Sequence, residues 1–137
     1  MLTGGYHPSK DVGEAMDGDL DNAVRKFQKE LNSGTVALVL LSVLERSDEP
    51  LYGYQIAKSL KGKGVDGMPV KQGTLYPVLR SMEERGLLTS RVEPSVSGPP
   101  RKYYSITEGG HEALAVWKET WRTTRDFVDA MLEGNGG

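Results

Sequence analysis

The chain contains no cysteine and only two histidines, His7 and His111. That excludes disulfides, thiolate nucleophiles and cysteine-based zinc sites, and it suits a reducing cytoplasmic setting. No pair of carboxylates stands at a recognisable catalytic spacing and no glycine-rich phosphate loop is present, so an enzyme has no obvious machinery, and no cofactor or metal is implied. The longest apolar run, Val36 to Leu44, is broken by Ser42 and is less than half the length that a bilayer span requires, so no membrane association is expected. Met1 to Leu20 lacks the basic start and apolar stretch of a secretory signal. Net charge is also lacking: 17 Lys and Arg stand against 19 Asp and Glu. The whole chain therefore does not advertise an affinity for polyanions.

What is present is unevenly distributed. Residues 1–22 hold one base, Lys10, and five acids, leaving 16 bases against 14 acids in the remainder of the 137 residues. An acidic, glycine-rich leader over residues 1–18, flexible unless something docks on it, thus precedes a mildly basic body. Asp19 or Asp21 caps a helix over residues 19–32, with Val24, Phe27 and Leu31 on one side, and Asn32-Ser33-Gly34 is expected to break or bend it. From Thr35 to Arg46 the apolar residues cover most of a helix surface, as in a helix packed on several sides. Ser47-Asp48-Glu49-Pro50 ends it. A short helix over Gly53–Leu60 has Ile56, Ala57 and Leu60 on its inner face. Turn residues Gly62, Gly64, Gly67 and Pro69 follow, and Pro69-Val70-Lys71-Gln72 is expected to form at most an edge strand.

The stretch beginning GTLYPVLRSMEERG places Leu75, Val78, Leu79 and Met82 on one helical face. At 100° per residue the opposite side carries Gly73, Pro77, Arg80, Ser81 and Glu84, flanked by Thr74 and Tyr76. A helix N-terminus offers unpaired amides and a positive dipole end to phosphate. Thr74 offers a hydroxyl and a methyl to a base edge, Tyr76 a hydroxyl to phosphate, and Arg80 a charge one turn deeper; Gln72, just before, shares that outward side. Gly73-Thr74 also fits a plain helix cap, and Tyr76 a packing role.

Beyond Gly86 the period changes to two. Leu88, Ser90 and Val92 alternate with Thr89, Arg91 and Glu93, and Lys102, Tyr104 and Ile106 alternate with Tyr103 and Ser105, giving a β-hairpin with a proline-stiffened tip. Between Lys71 and Lys102 there are six bases and three acids, and Arg101 and Lys102 stand where the tip rejoins the strand. Thr107 caps a last helix of about 25 residues whose stripe, Leu114, Trp117, Trp121, Thr124, Val128 and Met131, calls for a second helix. The order of elements is that of a winged helix-turn-helix: a mainly α fold with a small β-hairpin wing over residues 33–107 and a long C-terminal helix over 108–133.

Leu51-Tyr52-Gly53-Tyr54-Gln55-Ile56, Gly73-Thr74-Leu75-Tyr76-Pro77-Val78-Leu79, Glu84-Arg85-Gly86-Leu87-Leu88 and Pro100-Arg101-Lys102-Tyr103-Tyr104-Ser105-Ile106-Thr107 resemble, in this order, the landmarks of the PadR family of winged-helix transcriptional regulators. The resemblance runs from about Gly34 to Met131. Gln55 stands where the family usually has an acid, and residues 1–30 extend beyond the typical family start. The resemblance implies a cytoplasmic homodimer, usually a repressor, that binds a pseudo-palindromic operator in double-stranded DNA, with the last helices making most of the dimer contact. By position it implies that Tyr54, Thr74, Tyr76, Pro77, Arg101 and Lys102 face DNA. It also implies a possible planar aromatic effector between the dimer halves, with Trp121 at the matching place. The burial that large aromatics bring to helix–helix contacts favours interface core for both Trp117 and Trp121, with Trp121 the better ligand candidate of the two. A different class of function keeps the fold without the DNA: a winged-helix module that binds protein through the tryptophan stripe and the acidic leader.

Overall fold

The computed structural model describes residues 17–61 and 72–134. Residues 1–16 of the acidic leader, the glycine-rich turn residues and positions 69–71 of the expected edge strand lie outside the described residues. Asp17 and Gly18, read as the end of the leader, are already helical, so Asp19 and Asp21 lie inside the helix rather than capping it. The chain divides into two compact units, Met1–Gly34 and Thr35–Gly137.

Helix α1 spans Asp17–Arg46 without interruption, so Asn32-Ser33-Gly34 neither breaks nor ends it. The reason is local. Gln28 donates from its side-chain nitrogen to Asn32 Oδ1 at 2.8 Å, and Gly34 holds ordinary helical backbone, for which glycine costs only about 1 kcal/mol relative to alanine. Within the first unit, Val24, Phe27 and Leu31 lie on the helix surface with 53%, 63% and 44% of their area exposed.

The second unit has one core. Leu40, Leu41 and Leu44 of α1 meet Ile56 and Leu60 of α2 (Gly53–Leu60), Leu75, Leu79 and Met82 of α3 (Gln72–Glu84), Leu88 and Tyr104 of the sheet, and Leu114 of α4 (Glu108–Leu132). All are nearly or wholly inaccessible, and each fully buried aliphatic side chain contributes roughly 1.5–3 kcal/mol. Strands β1 (Leu51–Tyr52), β2 (Leu88–Glu93) and β3 (Arg101–Ile106) form an antiparallel sheet in the order β1-β3-β2. The hairpin register runs from Leu88 opposite Ile106 to Glu93 opposite Arg101. The sheet therefore has one strand more than the expected hairpin: Leu51 pairs with Tyr104 and Tyr52 with Tyr103. Gln72, expected in an edge strand, is helical instead and opens α3.

Two junctions hold the wing against the helices. The end of α3 is closed by Gly86, at φ 80°, with its N–H on the Glu83 carbonyl at 3.0 Å and that of Leu87 on the Met82 carbonyl at 2.9 Å. Thr107 then joins this turn to α4: its N–H donates to the Leu87 carbonyl at 3.1 Å, its hydroxyl donates to the Gly86 carbonyl at 2.6 Å, and its Oγ1 accepts from the Gly110 N–H at 3.0 Å. Gly110 is buried so tightly here that a Cβ would collide with the Leu87 carbonyl oxygen and lie 2.6 Å from Ile106 Cγ1. A further tie runs from α1 to α4, where Glu45 accepts from His111 Nδ1 at 3.0 Å and meets Lys118 Nζ at 3.5 Å.

Candidate nucleic-acid interface

Helix α3 is anchored along one side and open along the other. Leu75 and Leu79 are fully buried and Met82 is 2% exposed, whereas Gly73, Thr74, Tyr76, Pro77, Arg80 and Glu84 are all exposed. The burial follows the helical phase of the sequence, and nothing of the side chain of Gln72 is described. Pro77 lies farther in than a first-turn proline, five residues after the first helical residue. Having no N–H, it leaves the carbonyl of Gly73 without its usual partner from the following turn. That carbonyl belongs to the exposed Gly73, where solvent can satisfy it.

Tyr54, in the first turn of α2, is 56% exposed. The start of this helix is fixed by the Tyr52 N–H donating to Gln55 Oε1 at 3.1 Å. The neutral Gln55 thus fills the capping role open to an acid at this position. Tyr76, 41% exposed, lays the end of its ring against Gly53, where a Cβ would stand 2.7 Å from Cζ and 2.8 Å from Cε1. Glycine at that position lets the α3 tyrosine rest on the start of α2.

The wing residues Arg101 and Lys102 are both exposed, and strand alternation sends them to opposite faces of the sheet. Lys102 shares a face with Ser90 and the buried Tyr104. Its ammonium lies 3.3 Å from Glu83 Oε1 and 5.6 Å from the Tyr104 ring centroid. Ser90 Oγ donates to the other Glu83 oxygen at 2.5 Å. The Ser90 hydroxyl, and after it Lys102, hold the Glu83 carboxyl below its ordinary pKa, while burial raises that of Tyr104. Arg101 lies on the other face with Tyr103 and Tyr52, its guanidinium 4.5 Å from the Tyr52 ring centroid. Tyr52 in turn meets Tyr103 edge-on at 5.3 Å and lies nearly parallel to Tyr54 at 6.3 Å.

The α4 stripe divides between two environments. Leu114 is wholly buried in the subunit's own core and Trp117 packs against that core, so Leu114 is withdrawn from any surface. Beyond them Trp121, Val128 and Met131 are 39%, 44% and 54% exposed, beside Phe127 at 64%. Sequence reasoning missed Tyr52, Gly53, Tyr103 and Glu83 as parts of the site. A two-residue strand is too short to show alternation, and the partners of Tyr52 and Glu83 are remote in sequence.

A model of the PadR-like family of transcriptional regulators matches residues 40–116. A PadR family regulator of Eggerthella lenta, known as a crystal structure, is 37% identical, with 84% of this chain and 96% of that one covered and a TM-score of 0.73. A PadR family regulator of Clostridium difficile is 31% identical over 72% of this chain and 98% of its own, with a TM-score of 0.60. The transcriptional regulator Rv3488 of Mycobacterium tuberculosis is 31% identical over 81% of this chain and 92% of its own. On matching sequence landmarks, element order and fold, the chain belongs to the PadR-like family of transcriptional regulators.

Proposed function

We propose that this chain is a cytoplasmic homodimeric repressor that reads a pseudo-palindromic operator. The exposed side of α3 lies in the major groove of each half-site: Thr74 and Arg80 meet base edges, and Gln72, Tyr76 and Pro77 meet the flanking sugar and phosphate. Tyr54, Arg101 and Lys102 hold the neighbouring backbone and set the register of the helix. Half-sites then stand about one helical turn, or a multiple of it, apart.

One observation carries this reading: α3 buries Leu75, Leu79 and Met82 completely while leaving Gly73, Thr74, Tyr76, Pro77 and Arg80 open beside a hairpin that begins β3 with two cations. A helix that served only as core has no need of an outward side that is small, hydroxylic and basic. The net charge of −2 supports a protein that binds random DNA weakly and concentrates its attraction on one face.

The exposed half of the α4 stripe supports the dimer, since Trp121, Val128 and Met131 form an apolar row that a second copy would cover. Release by a planar aromatic effector is the further part of the proposal, with Trp121 as its wall. Selection of bound sequences from random duplexes by the purified protein tests the whole reading. A repeated half-site with two-fold symmetry is expected, and retention of all duplexes alike would refute it.

A further inference from the structure

Arg101 has a partner that sequence order does not suggest. Its guanidinium lies 4.5 Å from the centroid of Tyr52, a residue 49 positions earlier. Tyr52 is itself held from several directions: it pairs with Tyr103 in the sheet, its N–H is bonded to Gln55, its ring meets the edge of Tyr103, and Tyr54 lies alongside. The ring is half-buried and belongs to the junction between β1 and α2, a backbone fixed at both ends.

We propose that Tyr52 is a positioning residue that holds the Arg101 guanidinium ready for the DNA backbone, an inference that rests on the DNA-binding function proposed above. The chemistry of the stack explains why it serves this role. A guanidinium resting on an aromatic ring uses its face, while its N–H donors lie in its plane and remain free for phosphate oxygens. An arginine at the end of a loop loses much rotamer freedom on grasping phosphate, and an arginine already stacked has lost part of it in advance. Lys102 is placed differently: its ammonium is directed to a carboxylate, Glu83, at 3.3 Å. Of two adjacent wing cations, one is thus presented and the other restrained.

The test is a double-mutant cycle on the selected duplex, with Kd and its salt dependence measured for wild type, Tyr52→Leu, Tyr52→Phe, Arg101→Ala and the pair Tyr52→Leu with Arg101→Ala. Arg101→Ala is expected to lower the salt slope by about 1.8 per dimer, the share of one phosphate contact from each of its two subunits. Tyr52→Leu should weaken binding of the dimer by about five- to thirtyfold, the range of two exposed cation–π contacts, one per subunit, with Tyr52→Phe close to wild type. In the Arg101→Ala background Tyr52→Leu should cost nothing further. Equal losses in both backgrounds, or a Tyr52→Phe defect as large as that of Tyr52→Leu, would overturn the role while leaving DNA binding intact. A wild-type protein that binds no duplex would instead overturn the functional reading and this role with it. Should Tyr52→Leu fail to melt cooperatively, 15N relaxation of the Arg101 Nε group in DNA-free wild type decides: motion restricted relative to Arg85 supports the role, and equal motion contradicts it.

Discussion

Arg101 and Lys102 are consecutive residues of β3 whose charged groups have gone to different partners, the Tyr52 ring at 4.5 Å and the Glu83 carboxylate at 3.3 Å. The two cations of the wing are therefore not interchangeable. Their separation follows from the period of a strand and from what each face meets: α3 contributes an acid on one side, and the β1–α2 junction contributes a ring on the other.

Glu83 restrains Lys102, and its removal should strengthen binding to DNA. Replacing Glu83 by Gln leaves a hydrogen-bonding partner for Ser90 while removing the charge that attracts the ammonium. Fluorescence anisotropy on a random duplex at low salt should show tighter binding, since Lys102 then holds the DNA backbone without competition from the carboxylate, and a salt slope steeper by up to about 1.8 per dimer as the contact of each of its two copies becomes complete. An unchanged affinity and slope would mean that Lys102 reaches phosphate without hindrance from Glu83.

The same carboxylate gives the fold an acid sensitivity. Glu83, through Ser90 and then Lys102, and Glu45, through His111 and then Lys118, both have their pKa lowered in the folded state. A lowered folded value means that the unfolded chain binds protons first, so these contacts stabilise the fold fully above the ordinary carboxylate range and cease to do so as pH falls through the folded values. Melting temperature should decline on acidification below about pH 4.5, near the ordinary value for a glutamate. The double variant Glu45→Gln with Glu83→Gln should show a shallower decline. Parallel curves for the two proteins would remove these carboxylates from the account.

Gly110 and Gly34 should respond to alanine in opposite directions. At Gly110 a Cβ meets the Leu87 carbonyl and Ile106, and backbone cannot swing away, so a loss of roughly 1–3 kcal/mol is expected. At Gly34 a Cβ meets nothing within 4 Å and the residue is helical, so alanine should stabilise the protein by about 0.4–1 kcal/mol. Thermal melts of both variants check the pair, and a stabilised Gly110→Ala would contradict the packing described at the α3–α4 junction.

Along α4 the exposed row after Trp117 should control assembly without controlling the fold. Val128→Asp with Met131→Asp places two charges on side chains that are 44% and 54% exposed in the subunit. Sedimentation should show monomers in place of dimers, with a far-ultraviolet spectrum unchanged. A dimer that survives both charges would place the contact elsewhere.

The helices α2, α3 and α4 were legible because each carries a buried side at helical spacing and a definite boundary: Pro50 before Gly53, Gly86 after Glu84, Thr107 before Glu108. The hairpin was legible from alternation alone, down to its first and last residues. Tertiary context governed the rest. Asn32-Ser33-Gly34 has the composition of a break, yet no residue there requires a left-handed backbone, and the apolar run that follows carries the helix onward. Leu51-Tyr52 has no period of its own and becomes a strand only because β3 offers it an edge. The outward residues of α3 could be named from phase, whereas the partners of Arg101 and Lys102 could not, since Tyr52 and Glu83 reach the wing through folding rather than through sequence proximity. Leu114 shows the limit of a stripe: one continuous apolar row serves the subunit's own core at one end and its surface at the other.

The claim that the exposed start of α3 reads base edges is tested most directly by comparing the sequence preferences of wild type and Thr74→Asn, each selected from the same random duplexes. Asparagine favours adenine through a bidentate contact that threonine cannot make. The account predicts an altered base at one position in each half-site, symmetric about the dyad, with the remaining positions unchanged. Identical preferences for the two proteins would contradict it.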